Sequence, residues 1–394
     1  MKILLLSFYF QPDLCAGSFR ATALVRALKA VDPSISLEVI TTLPNRYSSY
    51  SAEALEYENI DGVSVFRIKL PRHQSGLRDQ SLAFLSFAWH AMKRARGGEY
   101  DIVVATSSRL MTAVLGALIA DRRTTALYLD IRDIFTDTIK DTLPSALALV
   151  TRPFFLAMER FAIKKASRVN LVSRGFSEYF RTRFPSQKFS YFTNGIDDDF
   201  LLPDIVSINE PRIRNLMTVV YAGNIGEGQG LHIILPELAK KFEGQMVFKV
   251  IGDGGRKEIL RQSLLSEGVT NVLLMEPMSR GLLVGEYKSA DVLFLHLNDY
   301  DAFKKVLPSK LFEYAAMGKP IWAGVSGYSA DFVRTEITNA AVFPPCDAEA
   351  AATVLANLEI NDAPRVDFMR KYSRENICRD LARDILSVTK DGID

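Results

Sequence analysis

TVVYAGNIGEGQGLHIILPELAKKF, residues 218–242, sets a short apolar run, a glycine-rich turn and an amphipathic segment end to end. Thr218–Ala222 reads as a buried strand, Ala222–Gly230 as the turn, and the segment after Gly230 as a helix whose apolar residues recur at helical spacing. The same succession runs through the whole chain. Upstream, strands are expected at Ile3–Phe10, Leu37–Thr42, Val63–Leu70, Ile102–Ser107, Ala126–Ile131, Arg168–Ser173 and Phe189–Phe192, with helices over Phe19–Val31, Ser81–Lys93 and Ser145–Ala166. Downstream, Met246–Ile251, Asn271–Met275, Val292–Leu297, Ile321–Ala323 and Ala341–Phe343 continue the strand series, and helices follow Gly255, Ser279, Ser309 and Asp347. Strands alternating with helices imply an α/β fold of parallel, doubly wound sheets.

The rhythm restarts after TNGIDDDFLLPDIVSINEPRIRN, residues 193–215, where turn residues, an acidic run and two prolines mark a hinge. Two Rossmann-like domains are expected, 1–200 and 201–370, facing across a cleft. Residues 371–394 form a C-terminal helix, broken near Tyr372–Ser373, that crosses back to the first domain. The length of 394 residues suits two domains at about 100–200 residues each. A net charge of +2 excludes a general nucleic-acid binder, so no nucleic acid is expected as a partner. The first 200 residues hold 26 basic against 20 acidic residues, net +6, and the remainder is net −4. Cys15, Cys346 and Cys378 are far apart and form neither a disulfide framework nor a zinc motif, which fits a reducing cytoplasm. The apolar start MKILLLSFYF lacks a cleavage site and reads as a first strand, and no apolar run of about 20 residues suggests a membrane span.

PSKLFEYAAMGKPI, residues 308–321, carries the chemistry. Pro308–Ser309 open a helix, Gly318 closes it and Pro320 enters the next strand, so the helix start lies at the carboxyl edge of a sheet. Helix N-termini attract anions, and Lys310 adds a full charge suited to a diphosphate. Glu313, one turn on, is placed to accept hydrogen bonds from vicinal hydroxyls. By spacing alone the segment reads equally as a capped surface helix. Three glycine turns follow strands: CAGS at Cys15–Ser18, AGNIGEGQG at Ala222–Gly230 and GDGG at Gly252–Gly255. Glycine lets backbone N–H groups approach a phosphate, although neither the GxGxxG nor the P-loop pattern is present. The histidines show no ligand spacing. Asp197–Asp199 reads as a solvated linker rather than a metal site, so no metal and no bound cofactor are expected.

In order along the chain, SFYFQPDLCAGSFR, YLDIRDIF, NGID, YAGNIGEGQGL, IGDGG, SADV and PSKLFEYAAMGKP resemble the GT-B glycosyltransferases of the GT4-type family. The likeness is greatest to those serving lipopolysaccharide, capsule or glycolipid assembly. The resemblance implies a nucleotide-sugar donor held mainly by the C-terminal domain, an acceptor held by the N-terminal domain and transfer with retention, and it implies no metal; the leading reading takes the donor as a UDP-sugar and the enzyme as a hexosyltransferase. Carried over by position, Glu313 would bind the donor ribose, Ser309 through its N–H and Lys310 would face the diphosphate, and Gly17 would bring backbone against the phosphate. Arg132 and Asp133 stand where relatives place a His–Asp pair beside the transferred sugar. Gly223, Asn224, Gly226, Gln229 and Gly252 would line the donor site. The family's first glutamate falls on Lys305 here, and its Arg and Lys near the diphosphate fall on Asn224 and Gln229. Lys305 or Lys310 is therefore expected to replace the missing charge.

Residues 143–168 mix Phe154, Phe155, Leu156 and Phe161 with Arg152, Arg160, Lys164, Lys165 and Arg168. Over Leu143–Leu156 that pattern suits a peripheral contact with the inner face of the cytoplasmic membrane, and over the second part a core-facing helix with a solvated basic face. The leading reading is a cytoplasmic retaining glycosyltransferase acting on a lipid-linked glycan or glycolipid. A nonhydrolysing nucleotide-sugar epimerase and a non-catalytic nucleotide-sugar-binding protein stand as alternatives.

Overall fold

The computed structural model describes residues 1–44, 53–71, 77–107, 110–122, 125–134, 136, 145–201 and 216–389. The chain divides into two compact units, Met1–Asn194 with Glu375–Asp394, and Gly195–Arg374. The division falls a few residues before the expected 200 and after the expected 370 because the two crossing segments pair with each other. Ile196 bridges Ser373, with Ile196 N donating to Tyr372 O at 2.8 Å and Arg374 N to Ile196 O at 2.9 Å. Most of the remaining hinge stretch, 202–215, lies outside the described residues.

The first unit contains β1 (Lys2–Leu6), α1 (Ala16–Val31), β2 (Ser36–Thr42), β3 (Tyr57–Ile60), β4 (Val63–Ile68), α2 (Leu77–Ala95) and β5 (Ile102–Ser107). It continues through α3 (Leu110–Asp121), β6 (Ala126–Ile131), α4 (Ser145–Lys165), β7 (Arg168–Leu171), α5 (Ser177–Arg183) and β8 (Phe189–Ser190). The described strands order as β3-β4-β2-β1-β5-β6-β7-β8. All pairs are parallel except β3 with β4. The sheet is covered on both faces, so strands such as β5 bury every residue and read as unbroken apolar runs. One face is closed by α1 and by Cys378, Leu381, Ala382, Ile385 and Val388 from the chain's far end.

The second unit contains β9 (Met217–Ala222), α6 (Leu231–Lys241), β10 (Met246–Ile251), α7 (Lys257–Ser266), β11 (Val272–Met275), α8 (Arg280–Ser289) and β12 (Val292–His296). After these come α9 (Lys310–Ala316), β13 (Ile321–Gly324), α10 (Gly327–Glu336), β14 (Ala340–Phe343), α11 (Ala348–Leu355) and α12 (Val366–Lys371). Its described strands are all parallel, in the order β11-β10-β9-β12-β13-β14. The one lysine inside β10, Lys249, is buried and neutralised by Glu286 of α8 at 2.9 Å. Strand order reverses between β9 and β12 here, and between β1 and β5 in the first unit. At such switch points adjacent crossovers leave in opposite directions and open a crevice at the strands' carboxyl ends. The residues singled out in the sequence lie at or near those ends.

Candidate functional site

In the second unit, the turns after β9 and β10 interlock. Gly223 N donates to Ile251 O and Ile225 N to Asp253 O, both at 2.9 Å. A Cβ on Gly252, whose φ is +149°, would stand 1.9 Å from Gly223 O. Gly252 therefore lets the two turns touch, a requirement of packing that holds with or without a ligand. Gly226 is similar, since a Cβ there would meet Asn224 Nδ2 at 2.4 Å. Asn224 Nδ2 donates to Gln229 Oε1 at 2.7 Å, and Gly226 N to the same oxygen at 3.2 Å. Asn224 and Gln229, which stand where basic residues were looked for, thus hold the turn's shape. Gly223 is different: the side-chain end that its missing Cβ makes room for is Lys310 Nζ, at 2.6 Å.

Lys310 begins α9. This helix is anchored by buried Leu311, Phe312, Tyr314 and Ala315, and Tyr314 Oη accepts from Ala222 N at 3.0 Å, tying α9 to the end of β9. Ser309 is already helical in backbone and its hydroxyl caps nothing, contrary to a capped start. The Lys310 ammonium lies 3.8 Å from the centre of the Tyr221 ring, is buried, and donates to no acceptor. Burial pulls it down to about 7, against the opposing pull of Glu313. Burial likewise raises Glu313, while Arg280, 3.7 Å away, holds it back. Arg280 also binds Asp197 at 2.5 Å and Asp199 at 2.9 Å, and Arg374 binds the other oxygen of Asp197 at 2.5 Å. Asp197 and Asp199 are therefore ion-pair partners, a correction to the solvated-linker reading. No local pattern marks Arg280, because its acidic partners lie far from it in the chain. Lys305 sits in the 3-10 turn Phe303–Lys305 ahead of α9.

A second polar cluster supports the turn from behind. His296, at the end of β12, is buried, with Nδ1 at 2.6 Å from Gln229 O and Nε2 accepting from Cys346 N at 2.9 Å. Since Nε2 accepts, Nδ1 carries the proton and donates, and burial drives the imidazole down to about 4. The ring is thus a neutral clip, not a ligand. Among the described residues, no group of three or more His, Cys, Asp or Glu is placed to hold a metal ion.

Gly17, Arg132 and Asp133 belong to the first unit. Gly17 lies in the first turn of α1, where a Cβ would come 3.1 Å from Arg132 Nη1. Arg132 follows β6, and its Nε and Nη1 are buried with no acceptor. Burial, and then the like charge of Arg20, lowers its guanidinium pKa. Asp133 keeps an exposed side chain, yet desolvation by the surrounding protein pushes its carboxyl up to about 6 against the pull of Arg132. Beneath them lies a pair the sequence did not announce: Arg20 grips Asp130 with two bonds of 2.8 and 2.9 Å, both residues fully buried. Burial opposes the Asp130 charge, but Arg20 and Asn170 hold its carboxyl below the usual range.

The glycosyl transferase 4-like domain family matches residues 18–195, and the glycosyl transferases group 1 family matches residues 209–376. The putative colanic acid biosynthesis glycosyl transferase WcaI of Escherichia coli K12 is 26% identical over 177 residues. That match spans 43% of this chain and 43% of that protein, well under half of either. Among solved structures, sucrose-phosphate synthase from Thermosynechococcus elongatus superposes with a TM-score of 0.69 at 13% identity, over 100% of this chain and 97% of that one. HepE of Anabaena, solved in complex with UDP, gives 0.60 at 15% identity, over 99% of this chain and 98% of that one. At such identities the structures speak for the fold, and the two family matches, one on each sheet, speak for the lineage. With a GT4-like domain followed by a group 1 domain on a GT-B pair of parallel sheets, the chain belongs to the GT4-type glycosyltransferases.

Proposed function

We propose that the protein transfers a hexosyl group from a UDP-sugar to a lipid-linked glycan or glycolipid, with retention and without a metal, at the cytoplasmic side of a membrane. The observation that carries the donor assignment is the Lys310 ammonium, buried against Tyr221 with no acceptor of its own. A buried ammonium without a hydrogen-bond acceptor is costly, and an arriving diphosphate supplies one. Glu313, one turn along α9, takes the ribose hydroxyls, and the Ser309 N–H and the turn Gly223–Gly226 border the phosphates. The UDP in the Anabaena relative and the polysaccharide role in the name of the Escherichia coli relative support donor and acceptor class.

The demanding step is departure of the nucleoside diphosphate, which leaves with concentrated charge beside an oxocarbenium-like sugar. Lys310, turning fully cationic as that charge develops, stabilises it; donors aimed at developing charge are the largest lever such a site has. With attack from the leaving group's face, a donor phosphate oxygen accepts the acceptor's proton. Arg132, with two N–H groups free to donate, positions an anionic or hydroxyl group of the substrates, and Asp133 serves as a reserve base. Lys310→Ala should lower turnover about 100-fold, UDP release should require acceptor, and activity should persist in chelator. Normal turnover by the variant, or complete loss in chelator, overturns this reading. The membrane contact through 143–168 rests on exposed Val150 and Phe154 beside Arg152 of α4; residues 143 and 144 lie outside the described ones. No helix among the described residues is long and apolar enough to cross a membrane.

A further inference from the structure

Helix α2 turns the wrong side chains to solvent. Its inner side buries Ala83, Phe84, Phe87, Ala91 and Ala95. At about 100° per residue, the side opposite these carries Leu82, Leu85, Trp89, Lys93 and Arg96 in one stripe. Leu82, Leu85 and Trp89 are 61, 60 and 58% exposed. An ordinary surface helix puts charge on that side. Between Leu82 and Trp89 the helix carries no charge at all, and toward its end Lys93 leans over the Trp89 ring at 5.5 Å. The stripe ends at a concavity of about 510 Å³ lined by Met92, Arg96, Glu99, Tyr100, Ile119 and Arg122 among others. Arg122, from the end of α3, reaches across it to Met92. Apolar exposure recurs at Leu118 of α3 and at Val150 and Phe154 of α4, which flanks α3.

We propose that this face of α2 and the concavity at its end dock on a bilayer carrying anionic headgroups. Leu82, Leu85 and Trp89 enter the boundary between headgroups and acyl chains, while Arg96 and Arg122 receive a headgroup phosphate. The chemistry selects a bilayer over a protein groove. Leucine and tryptophan flanked by long basic side chains match the layered polarity of a membrane surface, with the apolar body inside and the cation in the phosphate layer. Charge is complementary too: the first 200 residues are net +6, and Glu99 is the one carboxylate among the residues lining the concavity. A second, independent patch such as Val150 and Phe154 is what converts weak, reversible attachment by one helix into stable docking. This deepens the membrane-side reading above and places its main contact on α2.

The chain contains two tryptophans, and Trp322 is 0% exposed, so a lipid-induced change in emission reports Trp89. The full-length protein is mixed with vesicles of phosphatidylcholine alone or with added phosphatidylglycerol. Expected are a blue shift, quenching by brominated acyl chains and co-flotation, all stronger with phosphatidylglycerol and reduced by salt. Leu82→Ser with Leu85→Ser should weaken partitioning about tenfold or more, and Arg96→Glu with Arg122→Glu should abolish the preference for phosphatidylglycerol. Both double variants should keep the parent Tm and UDP affinity. An unchanged Trp89 signal with vesicles, or wild-type partitioning by the leucine variant, overturns the proposal. So does an emission shift that follows protein concentration without lipid, which would mean that a second copy covers the stripe. UDP calorimetry on the same samples separates this from the donor reading, since vesicle docking without UDP binding would sink the latter alone.

Discussion

In the proposed reading Lys310 meets the leaving diphosphate, and its burial gives that role a pH dependence. In the folded protein it titrates at about 7, against an ordinary 10.5. Between those values the unfolded chain holds a proton that the folded one has released. The folded state is therefore relieved of the charge above pH 10.5 and bears its full cost below pH 7. Lys310→Met keeps the stem against Tyr221 and removes the charge, so unliganded Tm should rise by a few degrees near pH 6 and converge with the parent toward pH 10. Diphosphate binding has the opposite sign. A bound anion raises the Lys310 pKa, so UDP binding takes up a proton above pH 7, and affinity falls with pH by at most one decade per unit. Calorimetry in buffers of different ionisation enthalpy reads that proton directly. A pH-independent UDP affinity, or a Lys310→Met variant with the parent's pH slope, would remove Lys310 from the phosphates. That Lys310 and Glu313 stand close together was legible because one short helix carries both. Arg280 was not, because Asp197 and Glu313 reach it from 83 and 33 positions away.

At the scale of elements, the glycine turns illustrate how a motif and its mechanism come apart. GDGG was rightly read as a turn at a strand end, but Gly252 spends its freedom on the neighbouring turn. Gly252→Ala would drive a methyl into Gly223 O at a φ of +149°, whereas Gly255 has ordinary φ and nothing within 4 Å of its missing Cβ. Gly252→Ala should therefore destabilise the second unit severely, by about 4 kcal/mol or more, and weaken UDP binding. Gly255→Ala should stay within about 0.5 kcal/mol of the parent. Urea unfolding of the two variants makes the comparison, and equal midpoints would mean that the turns do not interlock. The same logic explains which elements the sequence yielded. Strands of the second sheet are apolar on both faces and sit between glycine and helix signals, so their ends were placed within a residue or so. The edge strand β3, YENI, is half exposed and has no apolar alternation. Helix α3, LMTAVLGALIAD, is buried nearly all round and offers no polar face for a helical period to show.

Over the whole molecule, the least local feature is the C-terminal helix Arg374–Ser387, whose break from α12 at Tyr372–Ser373 was expected. It supplies Cys378, Leu381, Ala382 and Ile385, all 0% exposed, to the same cluster as Ile3, Leu5 and Val39. Asp384 fixes its register by accepting from Tyr128 Oη and Ser190 Oγ, each at 2.6 Å, and from Arg168. That this helix crosses back to the first domain was expected; its individual partners were not legible, because each apolar face is ordinary alone and only the pairing is specific. Removing Leu381 or Ile385 to alanine costs about 2–5 kcal/mol each, and a domain's whole stability is about 5–15 kcal/mol. A chain ending at residue 374 should therefore lose the first sheet while keeping the second. Hydrogen exchange distinguishes the two: amides of β1, β2 and β5 should exchange fast in the truncated chain, those of β9 and β10 at the parent's rate. A synthetic peptide of residues 374–389 added in trans should restore protection to β1, and the same peptide with Leu381 and Ile385 replaced by serine should not. Protection of β1 without any peptide would mean that the first sheet closes its core unaided, and that the crossing helix is fastened to a unit already folded.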